Sequence, residues 1–166
     1  MTRLSFLCAD LVPPESRTSP LANALAGDTA KVVRDVSDLG KLELRGDIGS
    51  VQAGDGEELV QLAPGRALLI TQGSAASARD RLSGSGLRVY DLTGSLAALE
   101  VEGDSLMRRL TELDLEALPA TGPVVRGVPA LVQRLDGERF RLFVPQELGH
   151  YVCETVLDLA LGVGAR

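Results

Sequence analysis

Two nearly identical hexapeptides place the strongest constraint on the fold of this chain. LELRGD occupies residues 42–47, and LEVEGD occupies residues 99–104. In each, apolar and charged side chains alternate as along a half-buried strand, and a glycine then allows the backbone to turn. Asp47 and Asp104 stand where a helix N-cap is expected. The repeat therefore predicts a strand that leads into a capped helix, once in each half of the chain.

The first half continues with further strand and helix patterns. KVVRDV, KLELRG, ELVQL, RALLIT and LRVYD are typical of strands. Asp47 precedes a short apolar segment that can form a helical turn, and Ser74 can cap a longer helix that ends at Gly84. From KLELRG onwards this half has the order β-α-β-β-α-β, which is that of a ferredoxin-like or split βαβ unit.

The second half repeats this order. The strand LEVEG is followed by a predicted helix with Leu106, Met107, Leu110 and Leu113 on one face, and then by a loop through Pro119 and Gly122. The strands VVRGVPALVQRL and RFRLFV come next, joined by a hairpin turn at Asp136-Gly137. The last predicted element is a helix from Glu147 to about Leu161. The sequence therefore predicts an α+β fold made of two ferredoxin-like repeats that arose by internal duplication. We expect an extended N-terminal arm at 1–28, a first repeat at 29–92 and a second repeat at 93–166.

The N-terminal arm allows two interpretations. Pro13, Pro14 and Pro20 interrupt regular pairing, although the segment from Leu21 to Leu25 can form one helical turn. A frayed terminus is one interpretation. The other is an arm that covers a partner, since Phe6, Leu7, Leu11 and their neighbours make it unusually apolar.

Composition and charge exclude several classes of function. The formal charge of -6 and the aromatic content of 3%, with no Trp, disfavour nucleic-acid binding. The chain contains no apolar run near the ~20 residues of a membrane-spanning helix, and MTRLSFLCAD lacks the apolar core of a signal peptide. We therefore expect a cytoplasmic protein without a membrane or nucleic-acid partner, in which Cys8 and Cys153 are reduced.

Few residues offer chemistry. His150 is the sole histidine, and Cys153 follows it by three residues, so the two are neighbours on a helix. Their surroundings are amphipathic and mildly acidic, whereas a reactive thiolate needs an electropositive setting. One His and two distant Cys cannot form a recognisable zinc cluster, and phosphate-binding glycine motifs are missing from the sequence. We predict no catalytic, cofactor-binding or metal-ligating residue in this chain.

Several segments resemble one protein family. LAPGRALLI (62–70), residues 89–119 and RFRLFVPQELGHYV (139–152) resemble segments of the gamma subunit of heterotetrameric sarcosine oxidase, and TSPL (18–21) is similar to its N-terminal signature. The matching positions are Asp91, Thr93, Gly103, Leu110, Asp114, Leu115, Phe140, Leu142, Val144 and Pro145. Gln146 stands where the family frequently has Arg.

The resemblance implies a fold like the folate-binding domain of the glycine cleavage aminomethyltransferase. It implies a non-catalytic gamma subunit in a complex with alpha, beta and delta subunits, which hold FAD, FMN, NAD and tetrahydrofolate. Such a complex demethylates sarcosine to glycine, passes the one-carbon unit to tetrahydrofolate and forms hydrogen peroxide. The alternatives are a stand-alone folate-binding protein related to aminomethyltransferase and a detached folate-like domain of a tRNA-modifying GTPase.

Overall fold

The protein is represented by a computed structural model that describes residues 18–26 and 32–164. The expectations for Phe6, Cys8 and the rest of residues 1–17 lie outside the described residues. The nine strands of the described part are β1 (Val33–Asp35), β2 (Gly40–Arg45), β3 (Glu57–Ala63), β4 (Arg66–Thr71), β5 (Arg88–Asp91), β6 (Leu96–Glu102), β7 (Ala120–Val124), β8 (Val128–Asp136) and β9 (Arg139–Pro145). Its α-helices are α1 (Ala22–Leu25), α2 (Ala75–Leu82), α3 (Asp104–Leu110) and α4 (Gln146–Gly164).

The first repeat forms an antiparallel four-stranded sheet in the order β3-β4-β2-β5. This is the ferredoxin-like order, with β2 and β4 in the middle. The helix that follows β2 is only a 3-10 turn, Ile48–Ser50, and Asp47 Oδ1 accepts a hydrogen bond from Gly49 N at 3.3 Å. The longer helix α2 begins after Ser74, whose hydroxyl accepts from Ser77 N. The structure thus confirms both predicted caps of this half.

The second repeat forms an antiparallel five-stranded sheet in the order β1-β6-β9-β8-β7. β1 pairs with β6, so that Val33 lies opposite Val101. It therefore takes the place beside β6 that β5 takes beside β2. The sequence pattern assigned this strand to residues 29–92, but its hydrogen bonds are with the second repeat. Within the described residues the second repeat ends with α4 and supplies no strand of its own for this edge, which is why β1 can close it.

Two local predictions for the second repeat are wrong. Asp104 is the first residue of α3 and not its cap, because Gly103, at φ 113°, precedes the helix without a side-chain bond. The Asp104 carboxylate instead lies 3.2 Å from Arg134 Nη1. The expected loop through Gly122 is strand β7, and the beginning of the expected strand VVRGVPALVQRL is the turn between β7 and β8.

The two sheets pack face to face and the helices cover their outer faces. A central cluster joins Val60, Leu68 and Ile70 of the first sheet to Ala98, Leu131 and Phe143 of the second. Outside the first sheet, Leu42, Leu44 and Leu69 pack against Ala78 and Leu82 of α2. Outside the second sheet, α3 and α4 cover residues such as Leu99, Phe140 and Leu142. The α/β/β/α arrangement confirms the predicted α+β class.

The described part of the N-terminal segment is neither extended nor separate from the body. Leu21 has no solvent exposure and belongs to the core under α4, and the single turn predicted after it is α1. Gly149 of α4 permits this contact, since a Cβ there would lie 3.2 Å from Leu21 Cδ2 and 2.7 Å from Ala97 Cβ. Leu21 is therefore part of the second repeat's core, and Ala24 and Leu25 pack against it.

Candidate functional site

His150 and Cys153, which are neighbours on a helix, lie in different environments. His150 is exposed on α4, and its Nε2 lies 3.2 Å from Glu154 Oε1 one turn further on. Cys153 is fully buried in the core between α4 and the second sheet. A solvent-exposed imidazole and a core thiol do not form a substrate-binding arrangement. The polar clefts of the molecule lie instead at the connections between strands.

Three of the four segments that carry the family resemblance meet at one cleft, which we call the junction cleft. It has a volume of about 310 Å³. Its lining residues are Thr18, Ser19, Pro20, Ser37, Asp38, Thr93, Gly94 and Gln146. The cleft forms here because both connections between the sheets, β1 to β2 and β5 to β6, pass this point and α4 begins beside them. The structure thus brings TSPL, Thr93 and Gln146 together although they are far apart in sequence.

Hydrogen bonds fix the walls of the junction cleft. Asp91 Oδ1 accepts from Thr93 N at 2.9 Å, and Thr93 Oγ1 accepts from Lys41 N at 3.1 Å. Ser37 Oγ accepts from Ala98 N and donates to the carbonyl oxygen of the same residue. Because these hydroxyl and carboxylate groups already bond the backbone, their first role is to fix the conformation of the two connections between the sheets.

Lys41 lies beneath this junction and is completely buried. Its Nζ donates a 2.8 Å hydrogen bond to the carbonyl oxygen of Ser37. Burial lowers the pKa of Lys41 to about 8, while the carboxylates of Asp38, Asp35 and Asp91 act in the opposite direction. The ammonium group therefore stabilises the turn that connects β1 to β2, at a cost in desolvation.

A second polar cluster lies between the sheets. Arg141 Nη2 is 2.8 Å from Glu100 Oε1 within the second sheet, and its Nη1 is 3.3 Å from Glu58 Oε2 of the first sheet. Gln133 also donates to Glu58. Beside this cluster, two adjoining clefts of about 330 and 240 Å³ share Leu39, Gln72 and Arg141 in their walls. The cluster links the sheets by charge-assisted bonds where the apolar layer ends.

Glu43 lies on the face of the first sheet that meets the second sheet, and it binds two arginines. Glu43 Oε1 lies 2.5 Å from Arg45 Nε and 3.0 Å from Arg66 Nη2. Burial alone raises the pKa of Glu43, but the hydrogen bonds from Arg45 and Arg66 outweigh it, and the pKa is lowered. Arg45 also lies over the ring of Tyr90, 5.0 Å from its centroid.

Sequence reasoning missed the buried charges of β2. It placed Glu43 and Arg45 on the face opposite Leu42 and Leu44, which the structure confirms. That face is the one that meets the other sheet, so Lys41 and Glu43 are buried. The only signal in the sequence was that both hexapeptides carry glutamates at the same place, Glu43 and Glu100.

The chemistry of these clefts favours structural bonding over catalysis. The junction cleft offers two serine or threonine hydroxyls on each side, the Asp38 carboxylate and an amide. A pterin ring needs a flat apolar or aromatic wall beside its polar partners, and the described lining residues of this cleft include no aromatic side chain. These residues do not fit a folate ring well, so we assign no folate step to them. Within the described residues there is no group of three or more potential metal ligands.

Comparison with solved structures shows what the fold is similar to. A chain of the heterotetrameric sarcosine oxidase from Corynebacterium sp. U-96, solved in complex with pyrrole 2-carboxylate, superposes with a TM-score of 0.74 at 18% identity. The match covers 90% of this chain and 97% of that chain. This chain has the fold of a sarcosine oxidase chain. The fold expected from the resemblance in sequence is therefore confirmed over nearly the whole length of both chains.

Two further solved structures share the arrangement. The glycine cleavage system aminomethyltransferase T from Bartonella henselae matches with a TM-score of 0.54 at 16% identity, over 75% of this chain and 45% of its own length. The regulatory subunit of aspartate kinase from Thermus thermophilus matches with a TM-score of 0.50 at 13% identity, over 76% of this chain and 96% of its own. The search of family models and the search of curated proteins found no match. None of the helices in the described residues is long and apolar enough to cross a membrane.

Proposed function

We propose that this chain is the non-catalytic gamma subunit of a heterotetrameric sarcosine oxidase-like complex. The observation that supports this most is the end-to-end fold match with a chain of such an oxidase. The aminomethyltransferase match supports the same origin, although this chain spans less than half of that protein. The convergence of Thr18–Pro20 and Thr93 at one cleft adds support, because these residues lie in segments that carry the resemblance in sequence.

In this proposal the chemistry belongs to the partner subunits. The alpha, beta and delta subunits would hold FAD, FMN, NAD and tetrahydrofolate. The complex would oxidise the N-methyl group of sarcosine, transfer the one-carbon unit to tetrahydrofolate and reduce oxygen, so that glycine and hydrogen peroxide are formed. The gamma subunit would provide a rigid surface. Its buried charged layer suits that role, since the contact of Arg141 with Glu58 joins the two sheets.

The experiment is co-expression with the reading frames that neighbour the gene. We expect the chain to co-elute in size exclusion with a flavoprotein and a large dinucleotide-binding subunit, and the complex to release hydrogen peroxide from sarcosine. The control is the same co-expression without this chain, which should give less assembled oxidase. A monodisperse monomer that never co-elutes with those products would refute the proposal.

The second candidate function is a stand-alone folate-binding protein. The fold match with the aminomethyltransferase is the observation that favours it. Titration calorimetry of the isolated chain with tetrahydrofolate distinguishes the two functions. Saturable binding by the isolated chain would support the second candidate, and heat of dilution alone would leave only the first.

A further inference from the structure

An open groove beside α3 is lined by arginines that have no acidic partner among the described residues. It has a volume of about 520 Å³, and we call it the arginine groove. Its charged lining residues are Arg108 and Arg109 at the end of α3, Arg126 in the turn between β7 and β8, and Glu112. The groove therefore carries a local excess of positive charge on a chain whose formal charge is -6.

In the part of the chain that the structure describes, the arginines without ion pairs are concentrated in this groove. Most of the arginines in the described part are paired with carboxylates, as in the contacts of Arg45, Arg66 and Arg141. Among residues 18–26 and 32–164, the arginines for which no ion pair or side-chain hydrogen bond is present are Arg79, Arg88, Arg108, Arg109 and Arg126. Three of these five line the same groove.

Arg126 also adopts a backbone conformation that its side chain disfavours. Its φ is 51° and its ψ is 33°, and Gly127 follows with φ 85°. Both φ angles are positive, and in this left-handed region asparagine and glycine are tolerated far better than other residues. An arginine in the first of these positions is disfavoured by local sterics. The turn therefore places a guanidinium at this point at a cost in backbone energy that asparagine would avoid.

The surroundings favour an acidic segment of a partner protein over a small anion. The three arginines are exposed, and the Thr111 hydroxyl at the floor already donates to the Pro123 carbonyl oxygen at 2.8 Å. The groove also adjoins the last turn of α4, since a Cβ on Gly162 would lie 3.5 Å from Arg109 Nη1. Leu161 in that turn is 71% exposed. A wide cationic surface next to an exposed leucine is complementary to carboxylates presented along a polypeptide.

We propose that the arginine groove is a docking site for an acidic segment of a partner protein. The guanidinium groups of Arg108, Arg109 and Arg126 bind its carboxylates. This inference does not depend on the proposed function, because the groove's charge and geometry belong to this chain alone.

The test uses the full chain and a fluorescein-labelled oligoglutamate peptide in fluorescence anisotropy at low salt. We expect Arg126→Asn to weaken peptide binding roughly threefold and the triple variant Arg108→Gln/Arg109→Gln/Arg126→Asn roughly 30-fold, in line with exposed charge pairs. The Arg126→Asn protein should be at least as thermally stable as the wild type, because Asn-Gly suits the turn. The matched control is Arg79→Gln/Arg88→Gln, which removes two unpaired arginines from the first repeat and should leave the affinity unchanged.

Three outcomes would overturn the proposal. One is failure of the wild type to bind oligoglutamate more tightly than a neutral peptide of the same length. Another is an equal loss of binding in the control variant, which would indicate non-specific attraction. The third is full competition by inorganic phosphate at concentrations near the peptide's, which would indicate a small-anion site. If the co-expressed complex forms, we expect the triple variant to co-elute with it less than the wild type does. A complex that forms equally well with the triple variant would contradict this inference and would leave the proposed function intact.

Discussion

Lys41 lies in an environment that is very different from that of an ordinary surface lysine. Its ammonium group is fully buried and bonded to the Ser37 carbonyl oxygen, and its pKa is about 8 because of desolvation. The neighbouring carboxylates reduce this penalty without removing it. The side chain thus fixes the β1–β2 connection while it makes folding depend on pH.

The sign of this dependence follows from the two pKa values. The unfolded chain has a Lys41 pKa near 10.5, and the folded chain one of about 8. Between these pH values the unfolded chain binds more protons, so the contribution of Lys41 to stability rises with pH. We expect the free energy of unfolding of the wild type to rise relative to Lys41→Met by up to about 3 kcal/mol from pH 7 to pH 10.5. Urea denaturation at several pH values measures this, and parallel curves for the two proteins would contradict it.

The exposed His150 and the buried Cys153 lead to a second prediction at this scale. In an assembled oxidase, His150→Ala and Cys153→Ser should each leave turnover within a few-fold of the wild type, since neither lies in a substrate-binding arrangement. Cys153→Ser should lower stability by about 1–3 kcal/mol, because it places a hydroxyl in the apolar core. His150→Ala is the matched surface control, with an unchanged thermal midpoint. A loss of turnover on the order of 10³ for either variant would show that it takes part in catalysis.

At the scale of elements, the N-terminal segment and α4 form one packing unit. Ser19 Oγ accepts from Leu21 N at 3.1 Å and directs Leu21 into the core. The side chain packs beside Gly149, where the absence of a Cβ allows close approach. Deletion of residues 1–21 would therefore remove a core side chain, in addition to any partner-binding surface.

Two truncations separate these effects. A chain that begins at Thr18 keeps Leu21, and a chain that begins at Ala22 loses it. We expect the second to be less stable than the first by about 2–5 kcal/mol, the usual cost of removing a buried leucine side chain. Thermal melts followed by circular dichroism measure the difference, and Leu21→Ala in the full chain should reproduce it. Equal melting temperatures would mean that Leu21 does not contribute to the core. Pull-down of the partner subunits by the Thr18 chain tests whether residues 1–17 bind a partner.

At the scale of the whole molecule, the Arg141 cluster links the two sheets. Arg141 contacts Glu100 in its own sheet and Glu58 in the other. The Glu100 side chain is only 7% exposed, so its carboxylate depends on this guanidinium, with Arg34 at 3.6 Å as a more distant partner. Removal of one partner of such a pair lowers stability strongly, whereas replacement of both partners by apolar residues lowers it much less.

We therefore expect Arg141→Met to lower the free energy of unfolding by about 3–5 kcal/mol. The double variant Glu100→Leu/Arg141→Met should recover most of this loss. The control is Arg139→Met on the same strand, whose partner Asp136 is exposed, and which should change the unfolding midpoint little. Chemical denaturation of the wild type and these three variants measures the loss and its recovery. If the single and the double variants are equally unstable, the pair is not the source of the effect.

The amino-acid sequence by itself determined most of the elements and their repetition. The alternation in LELRGD and LEVEGD predicted β2 and β6, and the Asp47 and Ser74 caps lie where local chemistry placed them. The predicted hairpin turn is present one residue later than expected, because Asp136 pairs with Arg139 and the turn residues are Gly137 and Glu138. Such features depend on neighbouring residues alone, so they can be inferred from a short window. The spaced positions around Asp91 and Pro145 likewise pointed to the fold that the sarcosine oxidase match confirms.

Only the tertiary structure decided how these elements combine. The pairing of β1 with β6, the burial of Lys41 and Glu43, and the junction cleft depend on contacts between residues distant in sequence. An alternating strand has one polar face whether that face meets water or another sheet, and therefore its pattern could not distinguish an exposed Glu43 from a buried one. For the same reason, the sequence could not show that Arg108, Arg109 and Arg126 have no ion-pair partner among the described residues. Whether a charged side chain has a partner can be known only when its neighbours in space are known.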